Sequence, residues 1–404
     1  MYFTRLKSWQ QNALITASSI VIFFLVSELG LRLVGFGVPS FYQLDPLLGH
    51  SLRPNATGWW TQEGRSFVSV NGDGLRGRKY SKKKADGTFR VAILGDSFME
   101  AVQLPLESSF CAVLEQELKK HTHPTNTRVE VINFGVSGYG TDQEYLMLRS
   151  RVWEYHPDLV LLAFFIGNDI RNNHRSLESS VLSGKFKPYF IFKNGQLVLD
   201  DSFARSESFR WRRSYFGSGL YFVLDHSRFL QLIKNAVTRV KIGPSGRSDQ
   251  GSGGGELGLD SSVFLPPIEQ SWIEAWQVTE GLLESMRDEI AAKNTAFIVV
   301  NIPASMQVHP NIATRSELVK ALGVTDLDYP DIRIRTFCES NHISVISLAP
   351  LFLKHAQDNS EHLYGFTNNR LGFGHWNSKG HELAARLVAG KIHKDIFSRS
   401  DSAP

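Results

Sequence analysis

The stretch Arg90-Val91-Ala92-Ile93-Leu94-Gly95-Asp96-Ser97-Phe98 runs an apolar segment straight into a tight polar turn. A short apolar run bounded by turn residues is the pattern of a strand buried on both faces. The same pattern recurs at residues 129–134, 159–165, 296–300 and 343–348. The segments between the runs carry helical spacing. Trp272, Trp276, Thr279, Leu283, Met286 and Ile290 step by four and three, and Ala384, Leu387, Val388, Ile392 and Ile396 form a second stripe. Aromatic residues at that spacing are core rather than a ligand box. Strands alternating with helices predict a parallel sheet with helices on both faces.

In open parallel sheets, ligands bind beyond the carboxyl ends of the strands, so the residues closing each run are the ones to inspect. Gly95-Asp96-Ser97-Phe98 places a hydroxyl at the mouth of a helix, where free N–H groups favour developing negative charge. Such a tripeptide alone is also ordinary turn chemistry. After the next run comes Asn133-Phe134-Gly135-Val136-Ser137-Gly138-Tyr139-Gly140-Thr141, whose glycines let the backbone turn tightly and approach a substrate, or simply form a loop. Gly167-Asn168-Asp169 follows the third run, and an Asn amide donates a hydrogen bond without titrating. The last block, Gly374-His375-Trp376-Asn377-Ser378-Lys379-Gly380-His381, precedes the final helical stripe. Of 13 histidines, His375 is the one in such a setting; His381 reads as packing at a helix start.

These blocks, in this order, resemble the SGNH/GDSL hydrolases, from about Asn71 to Ile396 and most weakly between about 171 and 270. The resemblance implies a three-layer α/β/α, flavodoxin-like fold with a parallel sheet. It implies Ser97 as nucleophile and His375 as the base that takes its proton. It also implies an oxyanion hole made by the N–H groups of Ser97 and Gly138 and the amide of Asn168. No cofactor and no metal enter that chemistry. A serine hydroxyl needs a base to become a nucleophile, and the tetrahedral oxyanion needs preorganised donors. There is one departure. The family usually places an Asp three residues before the histidine, and here that position is Gly372. Either the site works as a Ser-His dyad, or a backbone carbonyl or another side chain orients the ring, with Asn368, Asn369 and Glu361 nearest in sequence.

Toward the N-terminus, Arg5 and Lys7 precede a long apolar stretch. A helix over residues 13–36 would reach about 36 Å at ~1.5 Å per residue, enough to cross a bilayer. Glu28 and Arg32, four apart, can pair on one face near its end. The basic residues ahead of it argue for a cytoplasmic N-terminus with the rest exported; a cleaved signal peptide and a buried helix are the alternatives. The organisation expected is an anchor over 1–39, a strand and loop lead-in over 40–88 with a hairpin around 59–70, and a hydrolase domain over 89–404. An insertion over about 171–270 interrupts that domain. It holds an amphipathic helix near 220–240 and a flexible Gly/Ser-rich linker over 243–260. Gly253-Gly254-Gly255 lacks the context of a phosphate loop.

Composition bounds the rest. With 42% hydrophobic and 21% charged residues the chain can bury an ordinary core, and a net charge of +4 spread along it excludes a dedicated nucleic-acid binder. Lys82-Lys83-Lys84 reads as a solvated turn. Cys111 and Cys338 read as independent buried thiols, with a single bridge as the alternative. His121 and His123 are too thin a signal for a metal. The function expected is a serine ester hydrolase, an esterase or O-deacetylase acting outside the membrane on an acylated envelope or carbohydrate substrate. An O-acyltransferase using the same site and a binding or scaffold protein with a decayed site are the competing readings; no residue names a protein partner.

Overall fold

The computed structural model describes residues 7–37, 39–121, 127–178, 186–242 and 260–398. Arg5, His123 and the Gly/Ser-rich linker with its consecutive glycines, save Asp260, lie outside those residues. In chain order, α1 (Ser8–Leu33) precedes two antiparallel hairpins: β1 (Tyr42–Asp45) with β2 (Gly49–Leu52), and β3 (Thr57–Trp60) with β4 (Ser66–Ser69). β5 (Thr88–Gly95) leads through the single turn α2 (Ser97–Glu100) and α3 (Phe110–His121) to β6 (Arg128–Asn133). There follow α4 (Thr141–Ser150), β7 (Leu159–Phe165) and the short α5 (Asp169–Asn172). Next come β8 (Tyr189–Lys193), β9 (Gln196–Asp200), α6 (Glu207–Arg213), α7 (Tyr215–His226) and α8 (Arg228–Ile242). The chain continues with α9 (Gln270–Ala292), β10 (Ala296–Ile302), α10 (Ile312–Leu322), α11 (Tyr329–Ser340), β11 (Ser344–Ser347), α12 (Ala349–Asn359) and α13 (Ser378–Ile392).

The apolar runs form one parallel sheet of 5 strands in the order β11-β10-β7-β5-β6. Every residue of the central β7 is buried, as a strand covered on both faces requires. The connection from β5 to β6 leaves toward one edge, whereas those from β6 through β7 and β10 to β11 run toward the other. With right-handed crossovers, α3 falls on one face and α4, α9 and α11 on the opposite one. Packing agrees: α13 lies against α3, while α4 lies against α9. Arg333 of α11 stacks over Trp276 of α9 at 4.3 Å. The fold is therefore the three-layer α/β/α arrangement expected, in flavodoxin-like strand order. Its connections reverse at β5 and β7, and the crevice above that switch point is where such sheets bind ligands.

The lead-in is part of the same core. Phe41, Leu48, Leu52, Val68, Val70 and Leu75 are buried in one cluster with the side chains of β5 and β7. Arg76 is buried as well, and its guanidinium donates to the carbonyls of Glu100, Ala101 and Leu104. Those carbonyls lie at the end of α2 and in the loop after it, so the lead-in braces the segment that follows Ser97. Cys111 and Cys338 are separate buried thiols.

Two boundaries differ from the sequence reading. The first helix runs over Ser8–Leu33 and not to residue 36. Gly35 turns left-handed at φ +72°, and the Phe36 N–H reaches back to the Leu31 carbonyl, a glycine-dependent helix stop. The insertion is more regular than expected, with a β8–β9 hairpin and three helices. The helix read over 220–240 is two, because Ser227 takes an extended conformation. Its hydroxyl accepts the Leu230 N–H at 3.2 Å, beginning α8 as an N-cap.

Candidate active site

Ser97 is the first residue of α2, and the Asp96 carboxylate caps that turn by accepting the Phe98 N–H at 2.9 Å. The cap fixes the Ser97 backbone at the carboxyl end of β5. His375 approaches from the loop before α13, and its Nε2 lies 2.8 Å from Ser97 Oγ. The ring rests on Phe98, centroids 5.2 Å apart. Ser97, Gly138, Asn168 and His375 are all half-buried, so they form an accessible floor and not a sealed core.

The ring's other nitrogen is held from an unexpected direction. His375 Nδ1 lies 2.6 Å from Oε2 of Glu63, 312 positions earlier in the chain, and the His375 N–H donates to Oε1 of the same carboxylate at 2.9 Å. An ionised carboxylate only accepts, so the proton sits on Nδ1 and the Nε2 lone pair faces the serine hydroxyl. Burial works to raise the Glu63 pKa, but hydrogen bonds from His375 and its charge outweigh this and hold the group below the ordinary carboxylate range.

The residues offered as orienting groups do other work. Glu361 pairs with Lys379 and His355. Asn368 clamps the turn that carries Glu63: its Oδ1 accepts the Gly64 N–H at 2.9 Å, and its Nδ2 donates to the Gly64 carbonyl at 2.8 Å. Asn369 contributes a turn, its N–H donating to the Phe366 carbonyl at 3.0 Å. Gly372 itself cannot bear a side chain. It sits at φ +86°, where a Cβ would fall 2.8 Å from both His309 Nε2 and His362 Nδ1. Glu63 left no signal in the sequence beyond a carboxylate in a hairpin turn. Gly374 is its local trace: also at φ +86°, it would place a Cβ 2.3 Å from Glu63 Oε1.

The donors expected around an oxyanion lie on neighbouring strand ends. Asn168 follows β7, and its amide donates to Asp96 Oδ2 at 3.2 Å, which holds it beside the Ser97 turn. Gly138 takes φ +80° in the loop after β6. That loop is pinned on both sides: the Ser137 N–H donates to Glu100 at 2.6 Å, and His50 Nε2 donates to the Ser137 carbonyl at 2.9 Å. Tyr42 completes the support, its hydroxyl donating to Glu100 at 2.9 Å.

Beneath the crevice lies a cluster of buried carboxyls. Asp142 pairs with the buried Lys187 at 3.1 Å, and burial still lifts its pKa to about 6. Burial raises Glu144 and Asp169 well above their usual values, helped by the charge of Asp96 on both, of Asp142 on Glu144 and of Glu144 on Asp169.

His381 is placed as the sequence suggested. Its Nδ1 accepts the Phe110 N–H at 3.1 Å, capping α3 from the first turn of α13. Burial, with the nearby charges of Arg76 and His375, lowers its pKa from 6.5 to about 3. A group depressed in the folded state adds stability above its unfolded value and loses it as pH falls toward the folded one. Stability measured by chemical denaturation should therefore decline from about pH 6.5 toward about 3, and His381→Gln should flatten that decline. An unchanged slope in the variant would show that other groups carry it.

No family model matches the sequence, and no curated protein matches it. Solved structures align with it at low identity. The acetyl xylan esterase AlAXEase shares 15% identity at a TM-score of 0.37, over 76% of this chain and 100% of that one. A catalytic mutant of Axe2, an acetylxylan esterase from Geobacillus stearothermophilus, shares 12% at 0.38, over 77% and 96%. A GDSL-like lipase from Bacteroides thetaiotaomicron VPI-5482 shares 10% at 0.33, over 78% and 93%.

Proposed function

We propose that this chain is a membrane-anchored serine ester hydrolase of the SGNH/GDSL type, acting through a Glu63-His375-Ser97 relay. The observation that carries the reading is the unbroken line of short contacts, 2.6 Å and then 2.8 Å, ending at a hydroxyl in the crevice above β5 and β7. Ser97 Oγ attacks the acyl carbon of an ester while its proton passes to His375 Nε2, and Glu63 stabilises the imidazolium. The oxyanion faces the N–H groups of Ser97 and Gly138 and the amide of Asn168. Collapse expels the alcohol with the proton from His375. Water then attacks the acyl-serine, gives its proton to the same nitrogen, and the acid leaves as Ser97 is restored.

Glu63 argues against a decayed binding site, because it offers His375 the carboxylate that position 372 lacks. For the substrate we look to α1, which is long and apolar enough to cross a membrane. Lys7 and Arg5 before it support a cytoplasmic N-terminus, placing the site outside, among acylated envelope molecules or carbohydrates. The purified full-length protein should label with a fluorophosphonate and release acid from p-nitrophenyl acetate. Added carbohydrate acceptor should leave acid release unchanged. Acyl-acceptor product forming at its expense would make the chain a transferase, and a folded protein inert to both reagents would overturn the reading.

A further inference from the structure

The insertion packs against α1 through α8. Phe229, at the start of α8, meets Phe23 and Phe24 edge-on at 5.8 and 5.4 Å. One turn further along α1, the Glu28 carboxylate accepts the Ser227 hydroxyl and the Phe229 N–H, each at 3.0 Å. Arg32 donates to the His226 carbonyl at 2.9 Å. The Glu28–Arg32 pair marks where α1 can leave an apolar layer, and Phe24 lies four residues, about 6 Å, deeper along the axis. If α1 spans a bilayer, the start of α8 is therefore carried below the headgroups.

The surfaces of α7 and α8 suit that position. Tyr215 and Phe216 are 87% and 83% exposed, and Phe222, Val223, Leu232, Ile233 and Val237 are also exposed. The sequence of α8 holds Arg228, Lys234, Arg239 and Lys241 and no acid, α7 carries Asp225, and Arg210, Arg212 and Arg213 of α6 lie just before them. Apolar side chains beside an excess of cations are the composition of helices lying in a membrane interface. Where α1 meets the hairpin, a cleft of about 310 Å³ is lined by Arg32, Arg53 and Arg228, with Asp225 paired to Arg53 at 3.2 Å.

We propose that α7 and α8 form a second membrane contact, seated in the leaflet from which the C-terminal end of α1 emerges. Their exposed apolar side chains lie among acyl chains, and the basic residues of α8 and of the adjoining α6 lie toward lipid phosphates. The proposal rests on the reading of α1 as a membrane span. It also fixes the height of the candidate site. Asp225 at the end of α7 binds Arg53 and Ser40, Tyr42 of the neighbouring β1 binds Glu100, and Glu100 binds the Ser137 N–H beside Gly138. A site so linked is held at a set distance from the membrane surface.

The test uses full-length protein in vesicles of phosphatidylethanolamine and phosphatidylglycerol containing doxyl-labelled lipid. An environment-sensitive fluorophore is attached at Phe216→Cys on α7 or Ile233→Cys on α8. Ile20→Cys in α1 serves as the membrane reference and Gln357→Cys on α12 as the water reference; the native cysteines are buried. Positions 216 and 233 should be quenched to an extent close to position 20 and several-fold more than position 357. If both match position 357 while position 20 is quenched, the second contact is overturned and the anchor stands. If position 20 is also unquenched, the span reading fails and takes the proposal with it.

Discussion

Ser97→Ala should lower kcat for p-nitrophenyl acetate by about 10⁴- to 10⁶-fold and abolish fluorophosphonate labelling. The magnitude follows from the arrangement around the hydroxyl. The Ser97 Oγ lies 2.8 Å from the imidazole and 3.5 Å from the Asp96 carboxylate, so the nearer acceptor is also the one able to take up and return a proton. Without the hydroxyl, ester carbon faces only water. The N–H groups and the Asn168 amide would still favour an oxyanion, which is why a residual rate above the uncatalysed reaction should persist. Asp96 is buried and committed to capping α2 and to Asn168, so it offers no substitute nucleophile. His375→Ala should fall to a similar level, because the two groups act as a unit and their losses do not add. A Ser97→Ala protein keeping more than about a tenth of the wild-type rate would end the mechanism.

Glu63→Gln is expected to cost about 10²- to 10⁴-fold in kcat with little change in KM. The carboxylate accepts from Nδ1 and from the His375 backbone N–H at once, which fixes both the tautomer and the ring plane. A glutamine amide turned toward Nδ1 would reverse the tautomer and aim an N–H, not a lone pair, at Ser97. A serine base would then be lost while the substrate surface stayed intact, so the effect belongs in kcat. Gly374→Ala should act in the same direction without touching a charge, because its Cβ would occupy the place of Glu63 Oε1. Since the Glu63 pKa is held below its ordinary 4.5, the wild-type carboxylate remains ionised through mildly acidic pH. Steady-state kinetics of the variants beside wild type would decide. An undiminished kcat in Glu63→Gln would return the site to a serine-histidine dyad.

What local sequence encodes well here is periodicity and strand-end chemistry. The runs at 91–94 and 159–165 announced buried strands because a strand covered on both faces has no polar alternation to hide. Ser97, Gly138, Asn168 and His375 were legible because each sits in a short block at a strand end or just before the final helix. Their approach at one rim follows from sheet topology, since β5, β6 and β7 are neighbours. The insertion was less legible. One amphipathic stripe crosses residues 220–240, and only the extended backbone and capping hydroxyl of Ser227 divide it into two helices.

Sequence by itself therefore determined the alternation of five buried strands with helices, and the strand-end blocks that carry the proposed serine and histidine. It could not supply the carboxylate proposed as the third member of the relay. Glu63 lies in a hairpin turn before the first strand of the sheet, and nothing within its own neighbourhood distinguishes it from any solvated glutamate. Tertiary packing decided its place against His375. Asn368 grips the turn at Gly64, two glycines clear the space around the His375 loop, and the hairpin joins the core that the sheet builds. A hydrogen bond depends on distance in space, and the fold alone brings residues 63 and 375 within 2.6 Å.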